Sequence, residues 1–330
     1  LNILVTGGTG FIGRHLCMSL LRRGHHVRCL ARNIEVGPKA FQNEDIELVK
    51  GDLTQPETLR NVAHGIDAVY HLAAAGHVSE ISRQAFKHFS DINVQGTKNL
   101  ISLCAREGVK RIIHFSSTAA IGLPEQSVIS EETLCTPQTP YQKSKLHSEA
   151  AAFSLGRRYN IQVIVLRPCL VYGPGGTGEF LKICKLIKKG VFPRIGMGRN
   201  LTPIVHVADV VQAAVKGLEK GASGKVFIIA SNHSPTLKEL HNLICEALGI
   251  RRIYFYVPLP IAYLGAFFFE KVATTSNTPP IASRKNILSV VKDRTFDISR
   301  AKNDLRYRPA ISLSEGIRQT VSWLTENKLI

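Results

Sequence analysis

Short apolar runs separated by glycine and polar turns recur along the chain. Leu1, Ile3, Leu4 and Val5 form the first, long enough for a buried parallel strand and too short for a helix. Thr6-Gly7-Gly8-Thr9-Gly10 interrupts it, and an apolar, helix-compatible segment, Phe11 to Arg22, begins straight after. The order strand, glycine turn, helix predicts a phosphate-binding corner. Gly7 takes backbone angles closed to other residues, Gly10 lets a diphosphate approach the backbone, and Gly13 lets helix and strand pack closely. The free N–H groups at the helix start then face the anion.

The pattern repeats. VRCLA (27–31) reads as a second strand, IELVKGDL (46–53) as a third ending near Asp52, and IDAVYHL (66–72) as a fourth running into Ala73-Ala74-Ala75-Gly76. A helix is expected over 85–106, around Asn93. RIIHFSS (111–117), VIVLRP (163–168) and KVFIIAS (225–231) supply three more strands. Strands alternating with helices predict an α/β, Rossmann-type doubly wound parallel sheet. Composition shifts after Pro168. The expected division is a nucleotide-binding domain over 1–167, with 203–231 returning to it, and a smaller C-terminal substrate domain from 168–202 and 232–330.

Beyond Pro168, GPGGTG (173–178) reads as a flexible loop, and Phe180 to Lys189 as a basic amphipathic helix. Residues 253–269, IYFYVPLPIAYLGAFFF, are almost wholly apolar, but too short and too interrupted by Pro258 and Pro260 for a membrane span. The expectation is a helix covering the substrate cavity, with a lid at a membrane surface as the sharper alternative. SLSEGIRQTVSWL (312–324) reads as a helix capped by Ser312 or Ser314.

Charge adds to this picture. Lys and Arg outnumber Asp and Glu by 42 to 25, a net +17, which favours anionic ligands. With no long single-sign run and no nucleic-acid module, a nucleic-acid partner is not expected. The seven cysteines are scattered and form no Cys-x-x-Cys pair, so reduced thiols in a cytoplasmic setting are expected, without disulfides or a metal site. No signal peptide is expected ahead of the strand at Leu1, although the missing initiator Met suggests a trimmed start.

Tyr141 and Lys145 lie four residues apart after Pro140, on one face of an expected helix. A phenol of pKa about 10 is a poor base at neutral pH. A neighbouring ammonium stabilises its phenolate. Ser117, from another strand end, can hydrogen-bond a substrate oxygen. Together they would move a proton while a nicotinamide moves a hydride.

With TGGTGFIG (6–13), GDL (51–53), HLAA (71–74), NVQGT (93–97), SST (116–118), YQKSK (141–145), RPCLVYGPG (167–175) and VHVADV (205–210), the chain resembles the extended short-chain dehydrogenases/reductases. This group includes nucleotide-sugar epimerases, dehydratases and 3β-hydroxysteroid-dehydrogenase-like enzymes. The resemblance implies Tyr141 as catalytic acid/base, Lys145 as its helper and ribose ligand, and Ser117 as oxyanion partner. It implies a cofactor site from Gly7, Gly10, Phe11, Ile12, Gly13, Arg32, Asp52, Leu53, Leu72, Ala73, Ala74, Asn93, Tyr141, Lys145 and Pro168. Substrate would meet Ser117, Thr118, Leu170, Tyr172, Arg194 and Arg199. Ser117 is assigned by counting back from Gly122, where Ile121 replaces the usual Tyr, so a slip by one residue stays open.

Ala31 stands where NAD-specific sites carry a ribose-binding acid, and Arg32 follows it, so NADP(H) is expected over NAD(H). Thr118 and Ala119 replace the Asp-Glu of similar dehydratases, which disfavours dehydration. Leu170 and Thr202 replace an Asn and an Arg that contact nucleotide sugars, and Glu179 replaces an Asn found in similar 4-ketoreductases. GMGRN (196–200) and the tail through PPIASRKNI look like the 3β-hydroxysteroid-dehydrogenase branch. The expected activity is therefore interconversion of a secondary alcohol and a ketone on a bulky, lipid-like substrate. The alternative is a nucleotide-sugar 4-epimerase or 4-ketoreductase. A non-catalytic cofactor sensor is disfavoured by the intact Tyr141 and Lys145. A homodimer is expected through the helices at Phe86–Arg106 and Tyr141–Arg158, as in related enzymes.

Overall fold

The structure, a computed structural model, describes residues 1–36, 41, 45–76, 83–196, 198–251, 254–276, 284, 287 and 292–330. Seven strands form one parallel sheet: β1 (Asn2–Thr6), β2 (His26–Ala31), β3 (Glu47–Lys50), β4 (Ala68–His71), β5 (Arg111–Phe115), β6 (Gln162–Pro168) and β7 (Val226–Ile229). Their order is β7-β6-β5-β4-β1-β2-β3. The chain winds outward from β1 to β3, then crosses back to β4 on the other side of β1. The strand order reverses between β1 and β4, so the crevice for a ligand opens at their carboxyl ends.

Both faces of the sheet are buried. Ile3, Val5, Tyr70, Ile113, Ile164 and Phe227 pack on one side, and Leu4, Val69, Ile112, Val163 and Val165 on the other. Near-continuous apolar strands are what a doubly covered parallel sheet requires. The smaller C-terminal part packs α5 (Glu179–Lys188), α7 (Leu237–Leu248) and α9 (Leu313–Glu326) around Phe180, Leu240, Ile244 and Ile317.

Two expected elements differ. The strand read over 46–53 is only four residues long, because Asp52 Oδ1 accepts hydrogen bonds from the Thr54 N–H and Oγ1 and turns the chain. The helix read over 85–106 is α2 (Arg83–Phe89) and α3 (Gly96–Arg106), joined by a π-turn at Ser90–Gln95. That turn carries Asn93, which is 2 % exposed; widened turns of this kind often mark functional positions. Ser312 Oγ, rather than Ser314, caps α9 by accepting from the Glu315 N–H. Most of PPIASRKNI, and Met197 within GMGRN, lie outside the described residues.

Candidate active site

The glycine turn closes against the end of β4. Gly7 has φ +72°, and a Cβ there would lie 2.7 Å from the Ala73 nitrogen. A Cβ on Gly13 would lie 2.2 Å from the Gly7 carbonyl oxygen. Helix α1 (Phe11–Arg22) therefore starts directly against the turn. Its first turn has no side-chain cap and no acidic residue. Gly10, Phe11, Ile12 and Gly13 line a cavity of about 1040 Å³. An uncapped helix start bordered by glycines fits a dinucleotide diphosphate, through its free N–H groups and positive dipole end.

Helix α4 (Pro140–Tyr159) brings in the candidate acid/base pair. Thr139 Oγ1 accepts from the Gln142 N–H and the Gln142 side chain reaches back, a capping box that fixes where the helix begins. Tyr141 then falls in the first turn and Lys145 in the second, and both line the cavity. The Tyr141 ring meets Phe89 edge-on, 5.6 Å between centroids. Lys145 is 3 % exposed, and its Nζ donates to the Phe115 carbonyl at 2.7 Å. Burial pulls its ammonium down to about 8, against the opposing pull of Glu149. A lysine so placed is still mainly charged at neutral pH and can stabilise a phenolate.

The hydroxyl cluster follows β5. Ser116, Ser117, Thr118 and Ala119 all line the cavity. Ser117 Oγ accepts from the Ala119 N–H at 3.1 Å, and the buried Ser116 Oγ has no hydrogen-bond partner among the described residues. Ser117 and Thr118, the two candidates one residue apart, both line the same cavity as Tyr141.

The remaining assigned residues divide clearly. Gly7, Leu72, Ala74, Pro168, Leu170 and Tyr172 line the cavity beside those above. Ala73, at the close approach to Gly7, donates its N–H to Thr6 Oγ1. Arg32, Asp52, Leu53 and Asn93 are not among the lining residues. Leu53 is 6 % exposed and packs in the core. Asn93 instead ties the site together. Its Oδ1 accepts from the Ala75 N–H at 2.7 Å, and its Nδ2 donates to Ser144 Oγ at 2.8 Å on the Tyr141 helix.

On the substrate side, Arg194 and Arg199 do not line the cavity. Arg194 is fully buried: Nη2 donates to His241 Nδ1 at 2.7 Å, and the guanidinium lies 3.8 Å over the Tyr254 ring. The cations that do line the cavity are Lys145, Lys182 and Arg294. Burial draws the Arg294 guanidinium down from its ordinary value. Arg294 sits in a short polar segment with no periodic signal, and only the C-terminal chain's return to the cleft brings it in. Glu179, paired with Lys182 at 2.7 Å, is the one carboxylate among the lining residues.

The apolar run proves to be β8 (Phe255–Val257) and helix α8 (Leu259–Ser276). None of its described residues lines the cavity, so the expected apolar cover over the substrate is absent among the described residues. No described helix is long and apolar enough to cross a membrane.

A nucleotide corner, a Tyr–Lys pair and a serine cluster around one cavity define an NAD(P)-dependent oxidoreductase of the short-chain type. Residues 3–230 match the model of the NAD dependent epimerase/dehydratase family, and the chain belongs to that family. It is 28% identical to a 3beta-hydroxysteroid-dehydrogenase/decarboxylase of Arabidopsis thaliana, over 96% of this chain and 78% of that protein. Among solved structures it resembles DesIV, a dTDP-glucose 4,6-dehydratase from Streptomyces venezuelae with NAD and TYD bound (26% identity, TM-score 0.79, 99% and 98% of the two chains). It also resembles MoeE5 in complex with UDP-glucuronic acid and NAD (26% identity, TM-score 0.76, 99% and 100%).

These likenesses correct the cofactor expectation. The matching structures hold NAD, not NADP, and NAD is the better supported cofactor. The physical reason lies at the end of β2. Ala31 is only 6 % exposed and belongs to the core, so its lack of a carboxylate says little about the ribose. Arg32 is exposed, and an exposed guanidinium can lie over an adenine face as readily as meet a phosphate.

Proposed function

We propose that this NAD-dependent oxidoreductase acts on a nucleotide sugar, oxidising or reducing ring carbon 4 as a 4-epimerase or 4-ketoreductase. The observation that carries the reading is the lining of the catalytic cavity by Lys182 and Arg294, while the described apolar helix contributes nothing to it. Two cations suit a diphosphate, whose charge is costly to desolvate without partners. The likeness to proteins holding UDP-glucuronic acid or TYD supports the same choice. Dehydration fits less well, because the neutral Thr118 and Ala119 occupy the cavity wall after Ser117.

Bound NAD supplies a hydride acceptor, or as NADH a donor, beside the reacting carbon. In the oxidation, Ser117 Oγ holds the substrate hydroxyl, and Tyr141 takes its proton as the C–H hydride departs. Lys145 stabilises the phenolate and meets the ribose. In the reduction Tyr141 returns the proton to the alkoxide oxygen. A second reading, a reductase of lipid-like ketones, rests on Leu123 and Leu170 in the cavity wall and on the sterol-type relative.

The test is turnover of UDP- and dTDP-hexoses against sterol-like and long-chain ketones, followed at the nicotinamide absorbance and by product analysis. A nucleotide sugar should be turned over, and Lys182→Ala and Arg294→Ala should each raise its KM by about 10-fold or more, the scale of a charge-assisted hydrogen bond. Reduction of a lipid ketone with no turnover of any nucleotide sugar contradicts the proposal.

A further inference from the structure

We propose that helix α8 is a membrane-docking element that lies on an anionic lipid surface without crossing it. Ile261, Leu264, Phe268 and Val272 are 62%, 70%, 65% and 47% exposed. Their spacing of three, four and four residues puts them on one face of the helix. Phe267 and Phe269 are exposed on either side of that ridge, and Tyr254 and Tyr256 stand exposed on the segment leading into it. A contiguous apolar surface of this kind marks an interaction site on a soluble protein.

Charge decides which occupant fits. Residues 251–292 contain six lysines and arginines (Arg251, Arg252, Lys271, Arg284, Lys285, Lys292) and one acid, Glu270. Arg284 holds that acid at 2.8 Å and lies 5.2 Å from the Phe267 ring centroid. The one acid of the segment is thus paired, and the segment keeps a positive excess. A second copy of this chain would bring the same positive segment against itself, an unfavourable isologous contact. An acidic bilayer surface offers a place for the apolar ridge and counter-charge for the cations at once. The helix has 18 residues, and no described helix is apolar enough to span, so the ridge lies in the interface plane.

The experiment is sedimentation of the whole protein with sucrose-loaded phosphatidylcholine vesicles, with and without a third of phosphatidylglycerol. The wild type should pellet with the anionic vesicles and much less with the neutral ones. Binding should weaken as salt is raised well above about 0.1 M, where the screening length falls below ~10 Å. The double variant Leu264→Ser/Phe268→Ser should reduce binding by at least ~10-fold, with NAD affinity and unfolding temperature unchanged. Should it fold poorly, the single variant Ile261→Ser should still lower binding. Three results overturn the proposal: wild type that stays in solution with both vesicles, variants that pellet as well as wild type, or a ridge variant that turns a dimer into monomers while vesicle binding persists.

Discussion

Gly13 and Gly217 both lie inside α-helices, where replacing glycine by alanine ordinarily stabilises by about 0.5–1 kcal/mol. The structure separates them. At Gly217, in α6 (Val207–Lys220), a new Cβ would meet nothing nearer than Ile113 Cγ1 at 3.9 Å, ordinary van der Waals contact. Gly217→Ala should keep the helix gain and raise the unfolding temperature by ~1–4 °C. At Gly13 a Cβ would lie 2.2 Å from Gly7 O, 2.6 Å from Gly8 Cα and 2.9 Å from Gly7 C. Every obstacle is backbone, so no side chain can swing aside. Overpacking of this type costs about 1–3 kcal/mol, which outweighs the helix gain. The displaced atoms are the glycine turn itself, so the strain is delivered to the cofactor site. Gly13→Ala should lower the unfolding temperature and weaken NAD binding by at least ~10-fold, equivalent to ~1.4 kcal/mol. Calorimetric titration with NAD and thermal unfolding of both variants make the comparison. A Gly13→Ala protein that binds NAD within about twofold of wild type and unfolds no earlier refutes the packing argument.

Two further outcomes follow from the buried polar groups and from the helices beside the site. His71, held between Thr6 Oγ1 and Thr97 Oγ1, is pushed by burial down to about 3, and His114 falls in the same direction for the same cause. The unfolded chain takes up these protons below about pH 6.5 and the native protein does not, so stability is lost as pH falls from 6.5 towards 3. Between pH 6.5 and 5 His71 should cost about 2 kcal/mol, with His114 adding in the same direction, and a urea midpoint unchanged between pH 7 and pH 5 contradicts that burial. A homodimer through α3 and α4 remains our proposal, with Leu146, Phe153 and Leu155 only half-buried in the single chain; a monomer mass by light scattering at micromolar concentration is the opposing result.

The sequence carried those parts of the site whose chemistry depends on local spacing. Gly7, Gly10 and Gly13 sit where strand becomes helix, and Tyr141 and Lys145 one helical turn apart, so short-range pattern suffices for both. Parts made by distant chain segments were not legible. Arg294 reaches the cavity only because the C-terminal chain folds back onto it. Arg194 carries the same charge, yet lies under Tyr254 beside His241, and a sequence does not say which way a guanidinium faces. The run at 253–269 is apolar, but composition alone does not reveal that its described part does not line the cavity. The π-turn at Ser90–Gln95 breaks a helix whose apolar spacing looks continuous, because Thr97 Oγ1 donates to the Asn93 carbonyl and Asn93 is committed to Ala75 and Ser144. The cofactor expectation rested on the missing acid at Ala31 and on one exposed residue, Arg32, and exposed charge discriminates poorly between the two dinucleotides.

The claim that Tyr141 moves the proton is tested most directly by Tyr141→Phe, which keeps the ring against Phe89 and removes the one hydroxyl. Single-turnover absorbance of the nicotinamide, on the substrate that the wild type turns over, should fall by ~100-fold or more, the scale of general acid/base catalysis, with NAD affinity unchanged. Near-normal turnover by the phenylalanine variant would contradict the account.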